Sequence, residues 1–260
     1  MTTSTDSTPR RRGATSRLGG RPAAIDPSAA RIASRQIALC FDAPQGGGVA
    51  REVLPGVVHI RGWLDIDAPR ALAEQFLEWA RPPAGLRHPR MPTGHLMSVR
   101  SVCLGWHWRP YRYSKTADDT DGAPVKPLPE SLRSLGRLAV ADAYGATATE
   151  AQSYEPDAAI VNLYPEGARL GLHQDHEEPS DAPVVTISLG DTCVFRMAGV
   201  DRRVGPFTDV ELRSGDLLVF GRSNRRIYHG VPKVDFGSSA HEIGLPAGRL
   251  SITVRETGFR

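Results

Sequence analysis

Residues 158–175 read Ala-Ala-Ile-Val-Asn-Leu-Tyr-Pro-Glu-Gly-Ala-Arg-Leu-Gly-Leu-His-Gln-Asp, and the fold turns on how they are read. Two short runs, Ala158 to Tyr164 and Leu170 to Asp175, flank the turn chemistry of Pro165 to Gly167. Apolar or alternating runs of this length, bounded by Pro and Gly, predict strands rather than helices. The texture continues to the C-terminus through Val184 to Leu189, Cys193 to Met197, Val210 to Leu212, Leu217 to Phe220, Ile227 to Val231 and Leu250 to Val254. Gly190, Gly205-Pro206 and Gly215 punctuate it. Eight such strands predict a mainly β fold of two packed sheets, a jelly roll with flanking helices.

The helices lie upstream. After a strand near Val57 to Ile60, Asp67 is a plausible N-cap, and Leu72, Phe76, Trp79 and Ala80 recur at helical spacing before Pro82-Pro83. A second helix is expected from Pro129, with Leu132, Leu135, Leu138 and Ala139 as its apolar stripe and Gly145 as its C-terminal stop. Residues 1–36 are rich in Ser, Thr, Gly, Pro and Arg and poor in large apolar side chains, which predicts a disordered tail ahead of one domain, 37–260.

Charge is distributed unevenly. The tail holds seven arginines against Asp6 and Asp26, so of the formal charge of +3 it carries +5 and the remainder −2. Any binding of a polyanion by the folded part must therefore come from a local patch. One exists: between Trp79 and Ala117 stand Arg81, Arg87, Arg90, Arg100, Arg109, Arg112 and Lys115 with no acid, interleaved with Trp106, Trp108, Tyr111 and Tyr113. Cations for phosphates beside rings for bases are the ingredients of a single-strand binding surface. No apolar run approaches bilayer length, so no membrane partner is expected. Cys40, Cys103 and Cys193 show neither disulfide nor zinc spacing, which points to a reducing compartment, the cytoplasm, and a monomer is the default.

The chemistry is read from parity. Side chains alternate along a strand, so His173 and Asp175 project together while Gln174 and His176 point away. A third ligand must come from a distant strand, and His229 in Ile227-Tyr228-His229-Gly230 is the best placed, with Leu217 to Phe220 as the strand expected to pair with it. Two imidazoles and a carboxylate on one face leave coordination positions open for non-haem iron(II) and O2. Near the C-terminus Arg249, Ser251, Thr253 and Arg255 share a strand face. Two inward arginines need an anion, and guanidinium forks suit a dicarboxylate such as 2-oxoglutarate, with Asn162 and Tyr164 adding hydrogen bonds. The alternative for this strand is an amphipathic edge with solvated arginines.

Taken in order, Leu104-Gly105-Trp106, Asn162-Leu163-Tyr164, Gly167 to Leu172, His173-Gln174-Asp175, Ser188-Leu189-Gly190, Tyr228-His229-Gly230 and Arg249 to Arg255 resemble the AlkB family of nucleic-acid dealkylases across roughly residues 90 to 257. The resemblance implies a double-stranded β-helix core at about 155–257 and a nucleotide-recognition lid at about 85–117. It implies iron(II) at His173, Asp175 and His229, and 2-oxoglutarate held by Asn162, Tyr164, Arg249, Ser251 and Arg255, with O2 as co-substrate. It places a flipped base between Trp106 and His173, with Tyr111, Tyr113, Glu177 and Arg202 as further contacts. The family pattern has Asn where this chain has Ser251 and Asp where it has Glu177. The implied activity is oxidative demethylation of N-alkylated bases such as 1-methyladenine and 3-methylcytosine in DNA, preferably single-stranded, with RNA as a second candidate. Succinate, carbon dioxide and formaldehyde are the by-products. Two other readings use the same residues: an oxygenase of this fold acting on a small molecule or protein side chain, and a catalytically silent nucleic-acid binder.

Overall fold

The computed structural model describes residues 47–245 and 247–259, so the expected tail at 1–36 lies outside the described residues. The strands are β1 (Ala50–Leu54), β2 (Val57–Ile60), β3 (Arg100–Leu104), β4 (His107–Arg109), β5 (Arg112–Ser114), β6 (Ala158–Tyr164), β7 (Leu170–His173), β8 (Val184–Gly190), β9 (Thr192–Met197), β10 (Thr208–Leu212), β11 (Leu217–Phe220), β12 (His229–Asp235) and β13 (Arg249–Arg255). The helices longer than a single 3-10 turn are α1 (Asp67–Trp79), α2 (Glu130–Tyr144) and α3 (Thr149–Ser153). A seven-stranded sheet runs β1-β2-β11-β8-β13-β6-β3 and a four-stranded one runs β10-β9-β12-β7, with β4-β5 a separate hairpin. The mainly β, double-sheet architecture is the expected one, and all eight expected C-terminal strands are present.

Period-two alternation sorts the larger sheet into two faces. Leu250, Ile252 and Val254 of β13 join Val185, Ile187 and Leu189 of β8 in an apolar layer beneath Leu72 and Phe76 of α1 and Leu132 and Leu135 of α2. The opposite face, turned to the smaller sheet, carries Arg249, Ser251, Thr253 and Arg255 in register with Tyr164, Asn162 and Ser188. A second apolar cluster, including Phe195, Met197, Leu218, Phe220 and Val231, fills the rest of the space between the sheets. The polar strip is thus a deliberate gap in an otherwise apolar interior.

One alternative is excluded and two expectations are corrected. The arginine-bearing strand is not an edge: β13 lies between β6 and β8, and Arg249 is 0% exposed. Leu217 to Phe220 pairs with β2 and β8, whereas the His229 strand pairs with β7 and β9. Strand identity is legible from local pattern, but pairing across sheets is set by long-range packing. Asp67 begins α1 rather than capping it; Asp65 instead accepts hydrogen bonds from the amides of Asp67 and Ala68 at 3.2 and 2.9 Å. Strand β3 is an addition, its apolar pattern masked by Ser101 and Cys103, both of which are buried.

Candidate metal and co-substrate site

His173 ends β7 and His229 begins β12, and the two are directly paired in the ladder. Gly230 makes that pairing possible, since a Cβ there would lie 2.7 Å from the Leu170 carbonyl oxygen. The ladder register also shifts between His229 and Val231, so the backbone kinks where it approaches β7 most closely. The two imidazoles stand 4.4 Å apart between ring centroids.

Asp175, two residues past His173, completes the group. One ligand atom from each of the three residues lies within 4.8 Å of the others, with His173 Nε2 3.7 Å and His229 Nε2 3.8 Å from the carboxylate. Each Nδ1 faces a backbone carbonyl, of Gly171 and of Ile227, both at 3.0 Å. A carbonyl can only accept, so each Nδ1 carries the proton and each Nε2 is left to ligate, the tautomer a metal requires. Burial and the neighbouring His173 ring push His229 down to about 4, which keeps it neutral and able to bind metal. Burial opposes ionisation of Asp175, but the Arg255 guanidinium outweighs it and holds the carboxyl well below its usual range. Gln174 turns the other way and donates to the carbonyls of Val200 and Arg226, while His176 is exposed.

Beside the triad, Asn162, Tyr164, Ser251, Thr253 and Arg255 line a pocket with His173 and His229. Arg249 is paired with Tyr164 in the ladder, its guanidinium 5.0 Å from the ring, and none of its three nitrogens has a hydrogen-bond partner among the described residues. A fully buried, unpartnered guanidinium is among the costliest arrangements a protein can hold, and it is resolved by a bound anion. Asn162 accepts a hydrogen bond from Ser101 at 2.6 Å on Oδ1, so its amide nitrogen stays available. This donor set fits a dicarboxylate lying against the metal, and the His-Asp-His set fits iron(II).

Arg255, expected to share in holding the anion, is engaged elsewhere. It donates to Asp175 at 2.8 Å, to the Tyr113 hydroxyl at 3.1 Å and to Glu178, leaving Nε as its unpartnered nitrogen. Glu178 also accepts from Tyr113 Oη at 2.5 Å and lies 3.5 Å from Arg225, whose other nitrogen donates to the Asp175 carbonyl at 2.9 Å. Glu178 and Arg225 went unread in the sequence. Adjacent acids such as Glu177-Glu178 resemble a solvated turn, and nothing local distinguishes the buried one.

The expected substrate residues separate into groups. Tyr113 is turned inward onto Glu178, whereas Tyr111, at the tip of the β4-β5 hairpin, is 63% exposed with φ +68. Trp106 donates its indole N–H to Asp157 at 3.0 Å and carries the Lys115 ammonium 3.4 Å over its ring. Arg202 is exposed on the β9-β10 loop, which is tied to the metal strand through Gln174, and Glu177 is half-buried beside Glu178. Of the seven cations read in this region, Arg81 pairs with Glu78 and Arg87 with Asp119. The other five form no ion pair among the described residues.

Comparison with known proteins gives a consistent result. Residues 56–255 match the family model described as the 2OG-Fe(II) oxygenase superfamily. The chain is 38% identical over 209 residues to the "Alpha-ketoglutarate-dependent dioxygenase AlkB homolog" of Caulobacter vibrioides, covering 78% of this chain and 88% of that one. It is 32% identical over 222 residues to "DNA N(6)-methyladenine demethylase ALKBH1D" of Arabidopsis thaliana, covering 78% of this chain but only 50% of the plant protein. Among solved structures, "The structure of OsALKBH1" superposes with a TM-score of 0.70 at 29% identity, over 79% of this chain and 100% of that one.

Proposed function

Because the chain belongs to the AlkB family within the 2OG-Fe(II) oxygenase superfamily, and is thus an iron(II)- and 2-oxoglutarate-dependent dioxygenase, we propose that it removes N-methyl groups from bases of single-stranded DNA. One observation carries the reading most directly: the unpartnered Arg249 guanidinium lies 5.0 Å from the ring of Tyr164, which lines a pocket together with His173 and His229. The relatives, one an AlkB homolog and one named as a DNA N(6)-methyladenine demethylase, support a methylated nucleobase as substrate.

When bound, iron and 2-oxoglutarate would supply an oxygenation in which 2-oxoglutarate loses carbon dioxide and becomes succinate with one atom of O2 while the other enters an N-methyl C–H bond, after which formaldehyde leaves and the base is restored. The residues of the chain do the rest. His173, Asp175 and His229 would hold the metal, and Arg249 would pair with a carboxylate of the co-substrate, with Tyr164, Asn162 and Ser251 offering further hydrogen bonds. Leu170, Phe195 and Val231 line the pocket and exclude water. Arg255 holds the Asp175 carboxylate in orientation, fixed in turn by Glu178.

Substrate recognition falls to the hairpin. Pro110-Tyr111 forms its turn, and a non-glycine residue at φ +68 costs roughly 1–2 kcal/mol, so a ring kept there suggests contact with a ligand. The five cations without ion pairs suit phosphates, and Trp106 suits stacking of a base. A flipped base is cheapest to obtain from a single strand. No helix among the described residues is long and apolar enough to cross a membrane.

The test is mass spectrometry of oligonucleotides carrying 1-methyladenine, 3-methylcytosine or N6-methyladenine after incubation with the protein, iron(II) and 2-oxoglutarate. Loss of the mass of one CH2 is the expected result and names the lesion. Succinate production that no methylated oligonucleotide stimulates would assign the site to a small-molecule or protein substrate.

A further inference from the structure

Beyond the end of β13 at Arg255, the chain carries Thr257 and Phe259 from the metal site toward the hairpin. Arg255 meets Asp175 and Tyr113. Thr257, 0% exposed, donates to Asp157 from its amide at 2.7 Å and from its hydroxyl at 2.6 Å, and the same carboxylate accepts the Trp106 indole N–H. Phe259 lies 5.1 Å from the Trp106 ring and 5.4 Å from the Tyr113 ring, tilted by 52° and 50°.

From this arrangement we propose that Phe259 is a positioning residue for nucleotide recognition, bracing Trp106 and Tyr113 in the geometry that receives the base. The inference rests on the nucleic-acid reading of the hairpin and adds a determinant that lies outside every motif read in the sequence.

The segment bearing Phe259 is held from several sides. Its amide donates to Thr257 Oγ1 at 3.3 Å, the Thr257 carbonyl accepts from the Ser180 amide at 3.2 Å, and Glu256 accepts from the Glu155 amide at 2.9 Å. Gly258 adopts φ +76 with its missing Cβ 3.0 Å from the Ser180 amide nitrogen, so the chain turns tightly to present the ring. Trp106 is thereby fixed three ways: Asp157 on its N–H, Lys115 over its face and Phe259 tilted against it. Tyr113 is fixed at both ends, by Glu178 on its hydroxyl and by Phe259 on its ring. Tilted aromatic pairs at these separations add orientation to simple burial. A stacking platform ordered before the base arrives does not have to be ordered by it, which lowers the cost of binding.

The brace acts on substrate capture rather than on the oxygenation, so its signature is in KM. In Phe259→Ala the KM for a methylated oligonucleotide should rise roughly 3- to 10-fold, the loss of two aromatic contacts, with a smaller change in kcat. Combining it with Trp106→Ala should be less than additive, because the two substitutions remove one arrangement. Hydrogen–deuterium exchange of residues 104–117 in the substrate-free protein should be faster in Phe259→Ala, a readout independent of which substrate is correct. Phe259→Leu keeps apolar cover without the ring and guards against a variant that fails to fold; it should share the raised KM. Unchanged exchange across 104–117 in Phe259→Ala, or a wild-type KM in Phe259→Leu, overturns the brace. A wild-type protein that acts on no methylated oligonucleotide overturns the substrate reading instead, while the exchange experiment still decides whether Phe259 braces the hairpin.

Discussion

Arg255 lies 2.8 Å from Asp175, so the last residue of β13 holds the carboxylate of the metal group directly. The same guanidinium reaches Glu178 and the Tyr113 hydroxyl. Metal orientation and the hairpin therefore share one buried network, and a change at any member propagates to the others.

Lysine at position 255 keeps the charge but loses the planar fork that spans Asp175 and Glu178. Arg255→Lys is expected to weaken iron(II) binding about 10- to 100-fold, the usual cost of losing a partner that orients a ligand. Anaerobic calorimetric titration with iron(II) checks this, and wild-type affinity would mean that Asp175 needs no such support.

Arg249 is costly without its anion. Arg249→Met replaces a buried, unpartnered charge by an apolar chain of similar length, which is often neutral or stabilising by about 1–4 kcal/mol. The variant should melt no lower than wild type, yet 2-oxoglutarate, which should raise the wild-type Tm by binding the folded state alone, should no longer do so. Thermal melts with and without 2-oxoglutarate measure both effects. Undiminished stabilisation of the variant by 2-oxoglutarate would place the anion elsewhere.

Tyr111 sits at φ +68, where glycine is unstrained. Tyr111→Gly should leave stability within about 1 kcal/mol of wild type, relief of strain being set against the freedom gained by the unfolded chain. Affinity for a methylated single strand, read by fluorescence anisotropy, should nonetheless fall several-fold. Equal affinity would show that the ring makes no contact.

Asp119 accepts from Arg87 at 2.9 Å and from the His107 ring at 2.5 Å, at the root of the hairpin. Burial alone would raise its carboxyl, but the His107 ring and the Arg87 guanidinium pull it down to about 2; burial likewise opposes the charge on His107, and Asp119 raises it regardless. A depressed carboxylate stabilises the fold above its unfolded value near 4 and loses that contribution as the pH falls through its folded value. A raised imidazole stabilises below its unfolded value near 6.5 and loses that contribution as the pH rises through its folded value. Both contributions are present near pH 5, where Asp119→Asn should cost about 1–2 kcal/mol in chemical denaturation. The cost should shrink toward pH 2, and a pH-independent loss would show that the pair acts through shape alone.

Most of the architecture was legible because the eight strands from Ala158 onward are short, apolar or alternating, and separated by Pro and Gly. The two-residue spacing brought His173 and Asp175 together, although β7 ends at His173 and Gln174, Asp175 and His176 all lie past it. Pairing was not local: β11 was expected beside the His229 strand, and its real neighbours β2 and β8 are chosen by apolar packing in the larger sheet. The same limit hid the wider site. Glu178, Arg225, Asp157 and Phe259 act only through partners tens of residues away in sequence, and none belongs to a spacing that a strand or helix would reveal.

The most direct test of the account is to measure formaldehyde and succinate together from a methylated single strand, for wild type and for Asp175→Ala with its fold verified by circular dichroism. If His173, Asp175 and His229 hold the iron, wild type should yield one succinate for each formaldehyde and the variant neither product. Formaldehyde released by Asp175→Ala at the wild-type rate would contradict it.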